Sequence, residues 1–158
     1  MAIRGYKPSD LEPIIAIFRS NIPKYFGPDE ESGLREFLRD FADLYFVIEL
    51  NDEVVAAGGF AANSDGETVS LCWGMVRNDL LGTGLGTQLT EFRIGQAHEQ
   101  FGDLPLVIST SQHTRGFYEK FGFELTEHTP NGFGPGIDVC KMRLDYMKVR
   151  SRRESVFQ

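Results

Sequence analysis

Cysteine is almost absent from this chain. Cys72 and Cys140 are the only two, they share no metal-ligand spacing, and both lie in strand-like apolar surroundings. That excludes a disulfide-stapled fold and a thiolate metal site, and leaves two reduced, buried thiols in a cytoplasmic protein as the expectation. Long apolar runs are missing too. None approaches the roughly 20 residues that span a bilayer, so no membrane partner is expected. Met1-Ala2-Ile3-Arg4-Gly5 carries no signal-peptide apolar region. Basic charge is scarce: 16 Lys and Arg stand against 23 Asp and Glu, a net charge of −7. A nucleic-acid partner would want a basic face, whereas an acidic chain is compatible with a cationic substrate. The positive charge gathers at Lys148, Arg150, Arg152 and Arg153. Residues 146–158 therefore read as a basic tail, a helix turn followed by disorder, with too few charges for a nucleic-acid or membrane patch. No internal repeat and no linker is visible.

What is present is enough for one domain. The 158 residues are 41% hydrophobic, which can fill a core, and residues 1–145 are expected to form a single domain. Ala2–Tyr6 is a strand candidate. Ser9, with Glu12 three residues on, reads as the cap of an amphipathic helix over Asp10–Ser20. A second helix starts at Pro28 with acids in its first turn and an apolar face of Leu34, Phe37, Leu38 and Phe41. Leu44–Leu50, Val54–Ala62 and Glu67–Val76 form a meander, turned at Asn51-Asp52 and at Asn63-Ser64-Asp65-Gly66. A helix over Gly84–Gln100 should bury Leu85, Leu89, Phe92 and Ile94. Leu104–Ser109 has no hairpin link to its predecessor, so it should run parallel to Glu67–Val76 through a right-handed crossover. A short helix beginning at His113 or Thr114 ends at Gly122. Phe123–His128, a flexible loop Thr129–Gly136, and the strand Ile137–Leu144 complete the order βααβββαβαββ. The fold class is α/β (α+β), a mixed sheet with helices on its faces.

The chemistry concentrates between Leu71 and Phe123. The apolar run Leu71-Cys72-Trp73-Gly74-Met75-Val76 empties into Arg77-Asn78-Asp79. Leu81-Gly82-Thr83-Gly84-Leu85-Gly86-Thr87-Gln88 follows and opens the long helix. Helix-start amides lack intrahelical partners and, with the helix dipole, favour an anion such as a phosphate. Gly82, Gly84 and Gly86 let the main chain approach it, or they are simply turn and packing residues. No Lys sits in the loop, and Gly86-Thr87-Gln88 does not end as a Walker A loop does. The glycines are one residue out of register for a dinucleotide fingerprint, and Ile108-Ser109-Thr110 supplies no carboxylate. A nucleotide-dependent oxidoreductase is therefore disfavoured.

Two segments give the chain a resemblance to the GNAT N-acetyltransferase superfamily over about Ile3 to Leu144. Leu81-Gly82-Thr83-Gly84-Leu85-Gly86 is similar to the family's acyl-CoA loop, Arg/Gln-x-x-Gly-x-Gly/Ala. Phe117-Tyr118-Glu119-Lys120-Phe121-Gly122-Phe123 is similar to its later phrase Phe-Tyr-Glu-Lys-Leu-Gly-Phe. The resemblance implies a mostly antiparallel sheet of about seven strands. It also implies acetyl-CoA as co-substrate with no metal, and an amine acceptor, either a small molecule or a peptide. The amides of Leu81, Gly82, Thr83, Gly84, Leu85, Gly86 and Thr87 would hold the pyrophosphate, and the backbone of Met75 and Val76 the pantetheine arm. Ser111 joins the cofactor contacts. Tyr118 matches the family's general acid near the sulfur, and a phenol, with a pKa of about 10, can protonate a leaving thiolate. It could equally be a core aromatic.

Three departures stand out. Leu81 replaces the usual Arg or Gln. Ser111 replaces an Asn found in many members. Ser70 stands where some members carry a Glu base, which leaves Ser70 as a water-chain position and His113 or Glu67 as a proton acceptor. Tyr25, Phe26 and Glu30 are expected on the acceptor side, although acids there also serve as helix caps. The missing strand carboxylate keeps a non-catalytic acyl-CoA-binding or sensor domain open as the alternative. A homodimer is common for such domains, but no residue here fixes it.

Overall fold

In the computed structural model, which describes residues 1–149, the chain alternates short extended and helical stretches as its apolar spacing dictates. The strands are β1 (Ala2–Gly5), β2 (Tyr45–Leu50), β3 (Glu53–Ala62), β4 (Val69–Val76), β5 (Leu106–Thr110), β6 (Glu124–Gly134) and β7 (Ile137–Leu144). The helices are α1 (Leu11–Ser20), α2 (Glu31–Asp40), α3 (Leu85–Phe101) and α4 (Arg115–Glu119). The expected order holds throughout. The seven strands form one sheet in the order β1-β2-β3-β4-β5-β7-β6. It is antiparallel at β1–β2, β2–β3, β5–β7 and β6–β7, and parallel at β4–β5. Arg150, Arg152 and Arg153 of the expected basic tail lie outside the described residues. No helix among the described residues is long and apolar enough to cross a membrane.

The chain divides into two compact units. The first is Met1–Ala61 with Leu71–Gln96, and the second is Ala62–Ser70 with the chain from Ala97 onward.

In the first unit α1 and α2 lay Ile14, Ile15, Ile17, Phe18, Leu34 and Leu38 against Tyr45, Val47, Ala57 and Met75. A second cluster joins Ile48, Val55 and Ala56 to Leu85 and Leu89 of α3. The β2–β3 turn uses both expected residues in the left-handed region, Asn51 at φ 52° and Asp52 at φ 65°, as a type I′ turn requires. The start of α1 differs from expectation. Pro8–Asp10 forms a 3-10 turn, and the capping group is Asp10, whose Oδ2 accepts from the Lys7 amide at 2.8 Å. Arg4 holds the same carboxylate with two bonds, at 2.8 and 2.9 Å. Its Nη2 also donates to Glu49 at 2.6 Å. A buried carboxylate needs such compensation, and neither Ser9 nor Glu12 can offer it.

The buried face of α3 also differs. Phe92 and Ile94 are only half-buried, and Arg93 turns inward at 1% exposure. Gly58 and Gly74 make room for it. A Cβ on Gly74 would lie 2.6 Å from Arg93 Nη2 and 2.9 Å from Nη1.

In the second unit β5 lies between β7 and the start of β4, with Val69 opposite Leu106 and Ser70 opposite Val107. The β3–β4 turn is longer than expected. Asp65 accepts from the amides of Glu67 and Thr68 at 2.8 and 3.0 Å, which delays β4 to Val69. The expected flexible loop Thr129–Gly136 is instead largely strand, since β6 runs to Gly134 and pairs with β7. Side chains bind its far end: Asp138 accepts from the Asn131 amide at 2.9 Å, and Asn131 accepts from the Gly136 amide at 2.7 Å. Gln112 bonds Gly136 O at 2.9 Å and the Asp138 amide at 2.8 Å.

Gly74→Ala should lower stability by about 2 kcal/mol through overpacking, while Gly95→Ala, with open space around it, should raise it by about 0.5 kcal/mol as a helix-interior change; urea midpoints check both. Hydrogen bonds from Arg4 lower the Asp10 pKa. That stability is present above the ordinary carboxylate value near pH ~4 and is lost as pH falls through the lowered native value. Asp10→Asn should therefore flatten the acid limb of a stability–pH curve.

Candidate active site

β4 is where the first unit departs furthest from regular structure. Trp73 sits in its middle at φ 48°, a left-handed conformation that bulky residues avoid. Two buried groups lie against the strand there. Tyr45, fully buried on β2, donates its hydroxyl to the Trp73 carbonyl at 2.9 Å. Arg93 packs against the next residue, Gly74. Burial pushes the neighbouring Cys72 thiol up to about 11, against the opposing field of Arg93, so the thiol is protonated at neutral pH. Cys140 is buried and is likewise pushed up by burial. Both cysteines are thiols.

The indole of Trp73 stacks on Phe26 at 6.1 Å between centroids and meets Phe18 edge-on at 6.4 Å. Gly33 lies beneath it, where a Cβ would be 3.5 Å from the ring. Phe26 is thus tied to β4, while Tyr25 carries Lys24 over its ring at 5.2 Å. Glu30 Oε2 accepts from the Gly27 amide at 2.7 Å, a capping role, and desolvation raises its pKa. These three expected acceptor-side residues all lie in the first unit.

Past Val76 the chain makes a 3-10 turn over Asn78–Leu80 and enters the glycine loop. Gly82 and Gly84 take φ 79° and 92°, conformations only glycine adopts without strain. No heavy atom comes within 4 Å of a Cβ built at either. Thr83 Oγ1 donates to Leu80 O at 2.6 Å and tightens the turn. Gly84 O accepts from the Gln88 amide at 3.1 Å, so the helical ladder starts there. The amides of Leu85, Gly86 and Thr87 have no carbonyl one turn back in the helix. Leu81, at the usual Arg or Gln position, is 42% exposed. The nearby Arg77 is held by Asp79 at 2.7 Å and Glu53 at 3.1 Å.

In the second unit Tyr118 is buried on α4, edge-on to Phe117 at 5.0 Å and to Phe123 at 5.7 Å. Its carbonyl takes the amides of Phe121 and Phe123, which closes the turn after α4. Ser111 is buried at the head of α4. Its carbonyl accepts from the Thr114 and Arg115 amides and its Oγ from the His113 amide at 3.2 Å. His113 is exposed and lies in the field of Asp138. Ser70 Oγ donates to Asn63 Oδ1 at 2.9 Å, so it belongs to the polar turn that leads into β4. Glu67 is exposed on that same turn.

Sequence reasoning missed Tyr45, Arg93 and Asn21. The signal for Arg93 was the pair Gly58 and Gly74, small residues on successive strands. Asn21 lies one residue past α1, and nothing in the sequence pairs it with β4.

The sequence profile described as "Acetyltransferase (GNAT) domain" matches residues 24–146. No curated protein matches the chain. Among solved structures it is similar to Ard1 from Thermoplasma volcanium, at 19% identity and a TM-score of 0.77, covering 91% of this chain and 96% of that one. It is also similar to an aminoglycoside 6′-N-acetyltransferase complexed with coenzyme A, at 16% and 0.73, covering 92% and 97%. A ribosomal-protein-alanine N-acetyltransferase from Brucella melitensis aligns at 19% and 0.71, covering 92% and 99%. At these identities the likeness establishes the fold.

Tyr45→Phe should cost about 1 kcal/mol, because it leaves the Trp73 carbonyl without its buried donor; a shifted urea midpoint with unchanged slope would show it.

Proposed function

The chain belongs to the GNAT acetyltransferase family, and from that premise we propose that it moves an acetyl group from acetyl-CoA to an amine by direct attack. Membership itself indicates acyl-CoA-dependent acetyl transfer; the residue roles below are the proposal. The observation that carries it is the loop after β4. Its two left-handed glycines leave open space around them, and helix-start amides follow at once. A diphosphate suits that backbone, and no side-chain cation is needed. The backbone of Met75 and Val76 takes the pantetheine arm, and Ser111 adds a cofactor contact.

The amine nitrogen attacks the thioester carbonyl, the tetrahedral adduct collapses, and the carbon–sulfur bond breaks. Tyr118 gives its phenolic proton to the departing thiolate. The amine's proton leaves through water, with Ser70 and His113 as positions along that path; the Ser70 hydroxyl oxygen can accept while it donates to Asn63. On the acceptor side stand Phe26, Tyr25 and the Glu30 carboxylate. The acceptor is a small molecule or a peptide amine.

Acetyl-CoA with a panel of amines and a thiol-reactive dye tests the reading. Turnover should appear with at least one amine, and Tyr118→Phe should lower kcat by about 10²-fold with CoA affinity retained. Coenzyme A binding without turnover on any amine would favour the sensor alternative. Absence of CoA binding would overturn both.

A further inference from the structure

Asn21 lies just past the last residue of α1 and is 4% exposed. Its Nδ2 donates to Ile17 O at 3.0 Å and to Val76 O at 2.9 Å, and its Oδ1 accepts from Asn78 Nδ2 at 3.3 Å. Both Nδ2 partners are carbonyls, which only accept, so the reversed amide would set oxygen against oxygen twice. The amide orientation is therefore dictated by its surroundings. Ser20 adds a second tie beside it, with Oγ accepting from the Asn78 amide at 3.1 Å. The end of α1 thus grips the chain where β4 gives way to the glycine loop.

The direction of the Val76 carbonyl gives this grip its meaning. The Arg77 amide donates to Val55 O on β3 at 2.8 Å. In a trans peptide the C=O and N–H point in opposite directions. The carbonyl of the Val76–Arg77 peptide therefore points away from β3, towards the side of the strand that β3 leaves uncovered. Asn21 reaches around to that side and takes the carbonyl there. Val76 is the same residue to which the acyl-CoA reading assigns the pantetheine arm, and the present inference rests on that reading.

We propose that Asn21 is a positioning residue for acyl-CoA. It fixes the direction of the Val76 carbonyl so that an amide of the pantetheine arm finds an acceptor already aimed. A carbonyl oxygen has two lone pairs, so the Asn21 amide and the arm share it. Asn78 clamps the amide from its other end. Because the effect passes through the arm, it is felt by CoA and not by the nucleotide half of CoA.

The experiment titrates CoA and adenosine 3′-phosphate 5′-diphosphate, which lacks the arm, into wild type, Asn21→Leu and Asn78→Ala by calorimetry. Asn21→Leu should weaken CoA about tenfold, the scale of one lost hydrogen bond, and change the nucleotide half by less than about twofold. In turnover the KM for acetyl-CoA should rise by the same factor while kcat holds. Asn78→Ala should weaken CoA about threefold, since one neutral bond is worth less at an exposed partner. If Asn21→Leu does not fold, Asn78→Ala, whose side chain is exposed, carries the same comparison. Unchanged CoA affinity in the variants, or equal losses for both ligands, overturns the inference while the acyl-CoA reading stands. A wild-type chain that binds no CoA removes both.

Discussion

Trp73 occupies a left-handed backbone conformation in the middle of a strand, and the first unit is built to keep it there. Such a conformation costs a bulky residue on the order of 1–2 kcal/mol. The Tyr45 hydroxyl offsets part of that cost by capping the Trp73 carbonyl inside the core. The stacking of Trp73 on Phe26 and its edge contact with Phe18 add packing of the usual aromatic kind. The indole packs against Phe18, Phe26 and Gly33, so the segment expected to meet the acceptor packs on the strand expected to meet the thioester. A regular β4 would alternate its side chains and lose that connection.

Arg93 is the second half of the arrangement. An arginine at 1% exposure is costly to desolvate. Two glycines on adjacent strands, Gly58 and Gly74, leave the room it occupies, and its Nη2 donates to Thr90 Oγ1 at 3.4 Å. Its field also opposes the upward shift of the Cys72 thiol. A small-residue pair, a buried cation and a strained tryptophan on three different elements thus form one device.

Elsewhere the chain fixes its irregular segments by the same economical means, a side chain bonded to backbone. Asp65 sets the β3–β4 turn, Glu30 the approach to α2, and the Ser111 hydroxyl the head of α4. Asn131, Asp138 and Gln112 bind the far end of the β6–β7 hairpin. Loops fixed in this way can carry binding groups at repeatable positions. The glycine loop uses the same device once, in the Thr83 bond to Leu80 O, and adds two φ values that only glycine takes easily.

Local signals along the chain were enough for the element order, the seven strands, the type I′ turn at Asn51-Asp52, the parallel β4–β5 pair and the glycine loop. Those features depend on residues near one another in the chain, through apolar period, turn chemistry and helix-start signals. The phrase from Phe117 to Phe123 likewise carried the family likeness without any contact being known. Folding, not local signal, puts the Asp10 carboxylate rather than Ser9 on the Lys7 amide at the turn into α1, because its partner Arg4 belongs to β1. It alone decided that Arg93 faces inward while Phe92 stands half outside, that Thr129–Gly136 is mostly strand, and that Asn21 grasps the end of β4. Each of these outcomes rests on a bond or a cavity shared by residues far apart in sequence, and periodicity carries no information about such partners.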